Sequence, residues 1–108
     1  MPQLKIKGLE RDTVKKISRP LIDELQELLQ CPRDYFLIEH IDTVFIKDSC
    51  IDKGYPIVEV SMFDRGQDIQ DKIALIITRY IKAEVENTVD VYFTHLQKSS
   101  YYENGEHF

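Results

Sequence analysis

The second position of this chain holds a proline, whose nitrogen can act as a base when it is free. Proline after an initiator methionine normally allows the methionine to be removed, which would leave Pro2 with a secondary amine at the chain terminus. An α-amino group has a pKa of about 8, and burial in apolar surroundings lowers the pKa of an amine. Pro2 is therefore a candidate general base and acid at neutral pH. The alternative is that Pro2 has no catalytic meaning.

Two arginines lie at equivalent places relative to two prolines. Pro2 and Pro56 are separated by 54 positions, and so are Arg11 and Arg65 (56 − 2 and 65 − 11). A planar guanidinium binds a carboxylate through two hydrogen bonds and stays charged, so that it can polarise a keto or enol acid. The alternative is solvation of a helix terminus or a surface ion pair. The spacing therefore predicts either carboxylate-binding cations or ordinary surface arginines.

Other kinds of site are not indicated. Cys31 and Cys50 have neither the spacing of metal ligands nor an adjacent base in the sequence. His40 and His95 occupy equivalent positions, each late in a strand of its own half. We interpret them as partly exposed strand residues. The chain has no Gly-rich phosphate loop and no nucleophile elbow. We expect no metal and no cofactor.

Length and charge restrict the classes of function. A chain of 108 residues fits one domain, and a net charge of −5 argues against nucleic acid as a partner. No stretch approaches the roughly 20 apolar residues that a membrane span needs, and the N-terminus lacks a signal-peptide core. We expect a cytoplasmic protein with no membrane partner.

Hydrophobic periodicity divides the chain into two similar β-α-β units. In the first, a short strand around Leu4 and Ile6 precedes a helix that Asp12 or Thr13 would cap and that should stop before Pro32. A long strand is expected from residue 35 to residue 46. In the second unit, Pro56 opens a strand, a helix follows, and another strand begins near residue 89.

The expected organisation is one domain over residues 1–108, with repeats at about 2–47 and 56–96 and a tail at 97–108. The tail carries an Asn104-Gly105 turn signal. Two β-α-β units, each with parallel strands, predict an α+β fold: a four-stranded mixed sheet with both helices on one face. The other face has mixed polarity, which fits either solvent or a subunit contact; it comprises Gln3, Lys5, Lys7, Leu37, Glu39, Glu59, Ser61, Tyr92 and Thr94.

A proline that opens a strand, followed by Gly-Leu-Glu-Arg at 8–11 and a helix, resembles the tautomerase superfamily. Its members include 4-oxalocrotonate tautomerase and macrophage migration inhibitory factor. The segment 89–108 is similar to the C-terminal segment of that factor. The Tyr55-Pro56 pair and the ending Tyr-Tyr-Glu-Asn-Gly at 101–105 resemble a bacterial subgroup described as a domain of unknown function, the DUF1904 type.

The resemblance implies roles for individual residues. Pro2 matches the catalytic proline of the superfamily, Arg11 an arginine that binds substrate carboxylate, and Phe108 a terminal residue that walls the pocket. Arg65 is the repeat mate of Arg11. Cys31 stands where the migration inhibitory factor has a lysine, with Arg33 two positions on.

Other pocket positions of that factor also differ. Its tyrosine and asparagine fall on Asp90 and Tyr92, and its tryptophan falls on Glu103. The substrate pocket of the cytokine is therefore not reproduced, and its signalling role is not inferred.

Two functions remain open. One is an enzyme that moves a proton in a small keto- or enol-carboxylic acid, with Pro2 as base and acid; the other is a non-catalytic binding or assembly module. The resemblance also implies a homotrimer with sites at subunit boundaries. The segment 99–108 would then bring Tyr101, Tyr102 or Phe108 near the Pro2 of a neighbouring copy, and Arg65 or Arg33 would face that Pro2. The sequence does not indicate which acid is the substrate.

Overall fold

The computed structural model describes residues 2–108. Its strands are Gln3–Lys7 (β1), Leu37–Ile41 (β2), Phe45–Lys47 (β3), Cys50–Asp52 (β4), Ile57–Phe63 (β5), Asp90–Leu96 (β6), Tyr102–Glu103 (β7) and Glu106–His107 (β8). Its two α-helices are Arg11–Leu29 (α1) and Gln67–Lys82 (α2), and short 3-10 turns lie at Arg33–Tyr35 and Lys98–Ser100.

Four strands form one mixed sheet in the order β2-β1-β5-β6. The pairs β1–β2 and β5–β6 are parallel, whereas the central pair β1–β5 is antiparallel. The predicted α+β fold, with two β-α-β units and both parallel pairings, is confirmed.

The same backbone hydrogen bond begins both parallel pairs, which reflects the repeat in the sequence. The amide of Leu37 donates to the carbonyl of Pro2 at 3.2 Å, and the amide of Asp90 donates to the carbonyl of Pro56 at 3.1 Å. Each proline thus precedes its strand, where the missing amide hydrogen removes no bond within the ladder.

Both helices pack on one face of the sheet because each has an apolar stripe at helical spacing. Val14, Ile17, Leu21, Leu25 and Leu29 are the buried residues of α1, and Ile73, Ile77 and Ile81 are those of α2. They meet Leu4, Ile6, Val58 and Val60 from the two central strands, all nearly inaccessible to solvent. Alternation along the strands then leaves the opposite face without helices, and we call it the open face.

The start of α1 differs from the prediction. Glu10 occupies the N-cap position and makes no side-chain cap bond, so neither Asp12 nor Thr13 caps the helix. The end is as predicted, because Gln30 adopts a left-handed conformation after Leu29 and stops the helix before Pro32.

The single long strand expected over residues 35–46 is wrong. The strand β2 ends at Ile41, and β3 turns away to pair antiparallel with β4 in a separate hairpin. Phe45 and Ile46 do lie in a strand, as their residue types predict, but periodicity does not say which strand is its neighbour. Asp48 and Ser49 both have positive φ values, as a tight hairpin turn requires.

The antiparallel central pair gives the sheet two similar ends. The Pro2 end contains the start of β1 and β2, the last residues of β5 and β6, and the C-terminus of α1. The Pro56 end contains the last residues of β1 and β2, the start of β5 and β6, and the N-terminus of α1.

The tail forms a small hairpin, as its turn signal predicts. The strands β7 and β8 pair antiparallel on either side of Asn104 and Gly105, both of which have positive φ values.

In residues 2–108, no helix has the length and apolar character needed to cross a membrane.

Substitution of Gly8 tests the close approach of β1 to the start of β5. Gly8 has φ +84°, and a Cβ atom there would overlap the carbonyl of Tyr55. Gly105 has φ +87°, and no heavy atom of the described chain lies within 4 Å of its Cβ position. We expect Gly105→Ala to cost about 1 kcal/mol of unfolding free energy from backbone strain. Gly8→Ala should cost about 3 kcal/mol, because overpacking adds to the same strain. Urea denaturation measures both, and equal losses would contradict the contact.

Candidate functional site

Pro2 lies at the end of the sheet with its ring on the helix-covered side. Its side chain is less than 2% exposed, as are its alternating neighbours Leu4 and Ile6. The carbonyl of Pro2 accepts the hydrogen bond from Leu37 that begins the β1–β2 pair. The position of its ring is therefore fixed by core packing and by the sheet. The expected removal of Met1 concerns a residue outside 2–108.

Arg65 lies at the same end of the sheet as Pro2. One of its terminal nitrogens, Nη1, donates to the carbonyl oxygen of Leu29 at 3.0 Å. Leu29 is the last residue of α1, where unpaired carbonyls favour a nearby cation. This contact orients the guanidinium and engages one of its five N–H donors. The exposed remainder of the group can bind an anion.

Arg11 lies at the opposite end, because it begins α1 just after β1 has crossed the sheet. The five residues of β1 span about 16 Å at roughly 3.3 Å per residue. Arg11 lines a groove of about 570 Å³ with His40 and Phe45, and Pro2 is not part of that lining. Within one chain, the structure does not bring Arg11 to Pro2.

Three aromatic rings form a cluster at the Pro2 end. The ring centroids of Phe63 and Tyr101 are 5.6 Å apart, those of Phe63 and Phe108 are 5.4 Å apart, and those of Tyr101 and Phe108 are 5.1 Å apart. The side-chain amide of Gln3 donates to the hydroxyl of Tyr101 at 3.3 Å. Strand alternation puts Gln3 and Phe63 on the open face. The aromatic cluster therefore covers the open-face side of the strand that Pro2 begins.

Arg33 and Tyr102 are not part of this cluster. The Nη1 of Arg33 donates to a carboxylate oxygen of Asp23 at 2.7 Å and to the side-chain oxygen of Gln26 at 3.2 Å. Tyr102 is exposed, and its ring packs edge-on against His107. In a single chain, Arg33 is held by α1, and the ring of Tyr102 packs against His107.

Sequence reasoning missed Phe63 and Gln3. Both lie on the open face, at the ends of adjacent strands, and Gln3 pairs with Ser61, two residues before Phe63. The alternation of buried and less buried residues along 57–63 could have placed Phe63 on the open face. The antiparallel register of β1 and β5, which pattern alone does not provide, was needed to bring it beside Gln3.

The Pro56 end repeats the geometry without the same chemistry. Pro56 is within the chain, so its nitrogen belongs to a tertiary amide and cannot accept a proton as an amine does. The hydroxyl of Tyr55 donates to Asp90 at 2.9 Å, and this hydrogen bond to a carboxylate raises the pKa of Tyr55. The ring nitrogen Nε2 of His40 donates to the carbonyl of Leu9 at 2.8 Å. This end therefore contains no counterpart of a free proline amine.

Metal-binding residues do not cluster in the described chain. Among residues 2–108, no three His, Cys, Asp or Glu side chains come together in a way that could hold a metal ion.

The chain matches one protein family over almost its whole length. The family model described as "Domain of unknown function (DUF1904)" matches residues 1–107. A DUF1904 structure from Sebaldella termitidis is 36% identical, with 100% of each chain covered and a TM-score of 0.95. A protein of unknown function from Vibrio cholerae is 35% identical over 99% of this chain and 87% of that chain, with a TM-score of 0.89.

More distant structures share the fold. A macrophage migration inhibitory factor-like protein from Entamoeba histolytica is 13% identical over 99% of this chain and 98% of that chain, with a TM-score of 0.74. The F6 fused 4-OT asymmetric trimer is 12% identical over 97% and 94%, with a TM-score of 0.75. No curated protein sequence matches the chain. The fold is that of the tautomerase superfamily, as predicted.

Removing a ring from the aromatic cluster should loosen the tail. Phe108→Ala removes the contacts with Phe63 and Tyr101, and aromatic pairs contribute about 0.5–1.5 kcal/mol each beyond their buried area. We expect faster hydrogen exchange at the amide of Phe108, which donates to the carbonyl of Tyr101 at 3.0 Å. Tyr102→Ala is the matched control, since its ring contacts His107 instead. Unchanged exchange in Phe108→Ala would contradict a role for the cluster in fixing the tail.

Proposed function

This chain belongs to the DUF1904 family, whose function is unknown and whose fold is that of the tautomerases, and we propose that it is a proline-dependent tautomerase or isomerase. The substrate would be a small keto- or enol-carboxylic acid. Pro2 would act as general base and acid, and Arg65 would bind the carboxylate. The proposal requires that Pro2 be the first residue of the mature protein.

One observation carries the proposal: Pro2 and Arg65 occupy the same end of the sheet in a single chain. The antiparallel pairing of β1 with β5 puts the start of one strand beside the end of the other. Arg65 follows β5 by two residues and is oriented by its bond to Leu29. A base and an oriented cation at one location are the two groups that a keto–enol proton shift needs.

The proposed reaction moves one proton and leaves the atom count of the substrate unchanged. The neutral nitrogen of Pro2 would take a proton from the enol oxygen or from the carbon beside the carbonyl. The resulting prolinium would return the proton at the other position. Burial favours the neutral form of an amine, and the ring of Pro2 is buried. The charge of Arg65 would stabilise the intermediate enolate.

We also propose that the protein is a cytoplasmic homotrimer with its sites near subunit boundaries. The open face of the sheet has no helix over it, and it carries the exposed apolar side chains Leu37 and Tyr92. In residues 2–108, β2 and β6 each have a sheet neighbour on one side only. Uncovered edges of this kind pair readily with other chains. A ring of three copies would cover the open faces and edges together.

The assembly would decide which chain supplies each remaining pocket residue. In one chain, Tyr101 and Phe108 pack at their own Pro2 end, through Phe63. Arg11 lies at the opposite end of the sheet, so it would reach a Pro2 site only from another copy. Tyr102 and Arg33, which do not join the aromatic cluster of their own chain, would also contribute from a neighbouring copy.

A second candidate function is a non-catalytic binding or assembly module of the same fold. It is favoured by the burial of Pro2 and by the contact of Arg65 with the C-terminus of α1, because both features also have a purely structural purpose. The state of the N-terminus and the two experiments below separate the candidates.

Activity should depend on Pro2 and Arg65. An enol acid with a chromophore, such as the enol of phenylpyruvate, allows its conversion to the keto form to be followed by ultraviolet absorbance. We expect Pro2→Ala to lower kcat by about 100-fold or more, the range of general acid–base catalysis. Arg65→Lys keeps a cation near α1 but loses the bidentate fork, so KM should rise about tenfold, since a charge-assisted hydrogen bond is worth about 1.5 kcal/mol.

Arg19→Lys is the matched control, because Arg19 is an exposed arginine elsewhere on α1. The intact mass of protein made in its native cytoplasm must show loss of Met1. Retention of Met1, or full activity of Pro2→Ala, would contradict the catalytic proposal and favour the binding module.

The oligomeric state is measured independently. Sedimentation equilibrium at micromolar concentration should give a mass of three times the 12.7 kDa of the chain. A monomer would remove the composite site and most of the case for catalysis.

A further inference from the structure

One short segment contacts both of the groups proposed for the Pro2 end. Leu29 ends α1 at the start of this segment, and its carbonyl oxygen accepts the hydrogen bond from Nη1 of Arg65 at 3.0 Å. Leu37 begins β2 at the other end of the segment, and its amide donates to the carbonyl of Pro2 at 3.2 Å. Residues 29–37, here called the linking segment, therefore join the cation to the candidate base through two backbone contacts.

The two ends of the linking segment are fixed by different kinds of contact. The end at Pro2 is held by the β1–β2 ladder and by the buried proline ring. At the other end α1 stops, and Gln30 adopts a left-handed conformation with φ 52° and ψ 48°. Glycine is the usual residue at such a helix end, because a side chain makes this conformation strained. Strained backbone persists only where surrounding contacts fix it, so the direction of the Leu29 carbonyl depends on those contacts.

Gln26 makes three of these contacts. Its backbone carbonyl accepts the amide of Gln30 at 2.8 Å, and this amide belongs to the same peptide group as the Leu29 carbonyl. Its side-chain nitrogen donates to the carbonyl of Cys31 at 3.2 Å. Its side-chain oxygen accepts from Nη1 of Arg33 at 3.2 Å. The side chain of Gln26 thus uses both its donor and its acceptor to hold the turn that follows α1.

We propose that Gln26 is a positioning residue for the site at the Pro2 end. By holding the carbonyl of Cys31, it fixes the turn after α1 and therefore the Leu29 carbonyl that orients Arg65. The inference rests on the proposed function, in which Arg65 binds the carboxylate of the substrate. A glutamine suits this role because its amide supplies a donor and an acceptor together.

The first test replaces the amide of Gln26 with a side chain of similar length. Methionine is unbranched and a good helix former, as glutamine is, so Gln26→Met removes the hydrogen bonds and keeps the helix propensity. We expect KM for the enol of phenylpyruvate to rise about fivefold, the effect of one neutral hydrogen bond, with kcat unchanged. Gln30→Met is the matched control, because the Gln30 side chain donates to the carbonyl of Glu27 at 2.6 Å and not to Cys31. Its KM should equal that of the wild type.

A purely structural role of Gln26 gives a different result. A variant that only lowers the folded fraction lowers the measured kcat and leaves KM unchanged, since the molecules that remain folded bind substrate normally. An unchanged KM in Gln26→Met therefore overturns the inference. An equal rise of KM in Gln30→Met also overturns it, because any change at the end of α1 would then have the same effect.

The variant Gln26→Glu separates the two side-chain contacts. An ionised carboxylate keeps an oxygen for Arg33 but has no donor for the carbonyl of Cys31. We expect Gln26→Glu to raise KM as Gln26→Met does. A KM equal to that of the wild type would show that the bond to Cys31 does not position Arg65.

A double-mutant cycle tests whether Gln26 acts through Arg65. Arg65→Met removes the guanidinium and its bond to Leu29. In this background Gln26→Met should leave kcat/KM unchanged, whereas in the wild-type background it should lower kcat/KM about fivefold. Equal losses in both backgrounds would contradict the inference, since Gln26 would then act independently of Arg65.

A measurement without turnover distinguishes failure of this inference from failure of the proposed function. Nuclear magnetic resonance reports solvent exchange of the side-chain N–H groups of Arg65. Exchange should be faster in Gln26→Met than in the wild type and unchanged in Gln30→Met. If it is, but the wild type does not convert the enol, Gln26 positions Arg65 and the catalytic proposal is wrong. Unchanged exchange in Gln26→Met overturns the positioning role whatever the activity.

Discussion

The antiparallel pairing of β1 with β5 is the interaction on which the rest of this structure depends. Each β-α-β half pairs its own two strands in parallel and covers one sheet face with its own helix. Only the β1–β5 ladder joins the halves into one sheet, and it sets the register that puts Leu4 opposite Val60 and Ile6 opposite Val58. These four side chains are almost fully buried beneath both helices, so the core exists because the ladder has this register.

The same ladder decides which functional groups share an end of the sheet. Because β1 and β5 are antiparallel, the start of β1 lies beside the end of β5, and the start of β5 lies beside the end of β1. Pro2 therefore lies with Arg65, and Pro56 lies with Arg11, although each arginine follows the other proline in sequence. The two ends of the sheet therefore have similar shapes. Only the Pro2 end has a candidate base, because only Pro2 can have a free secondary amine. The two helices also contact each other on the other side of the sheet, where the hydroxyl of Tyr80 donates to Glu24 at 2.9 Å.

Uncovered surface is the second property that follows from this architecture. Both helices lie on one side, which leaves the open face of mixed polarity. The separate β3–β4 hairpin adds the exposed apolar side chains Val44, Ile46 and Ile51. Large exposed apolar side chains grouped on one face are typical of interaction sites. The proposed trimer would cover the open face, and it also offers a route by which Arg11, remote from Pro2 in one chain, can reach a Pro2 site.

The sequence by itself determined the two β-α-β units, the buried stripes of both helices, the turn at Asn104-Gly105 and the resemblance that identifies the fold. Those features depend on residues close together in the chain, where spacing and turn chemistry act directly. Tertiary structure decided which strand the residues after Ile41 would join, and the long strand predicted there was wrong. It also separated Arg11 from Pro2, brought Phe63 and Gln3 to the aromatic cluster, and fixed Arg33 on α1. The reason is physical: a periodic pattern specifies which face of a strand is buried, whereas its neighbour and register depend on packing between residues that are distant in the chain.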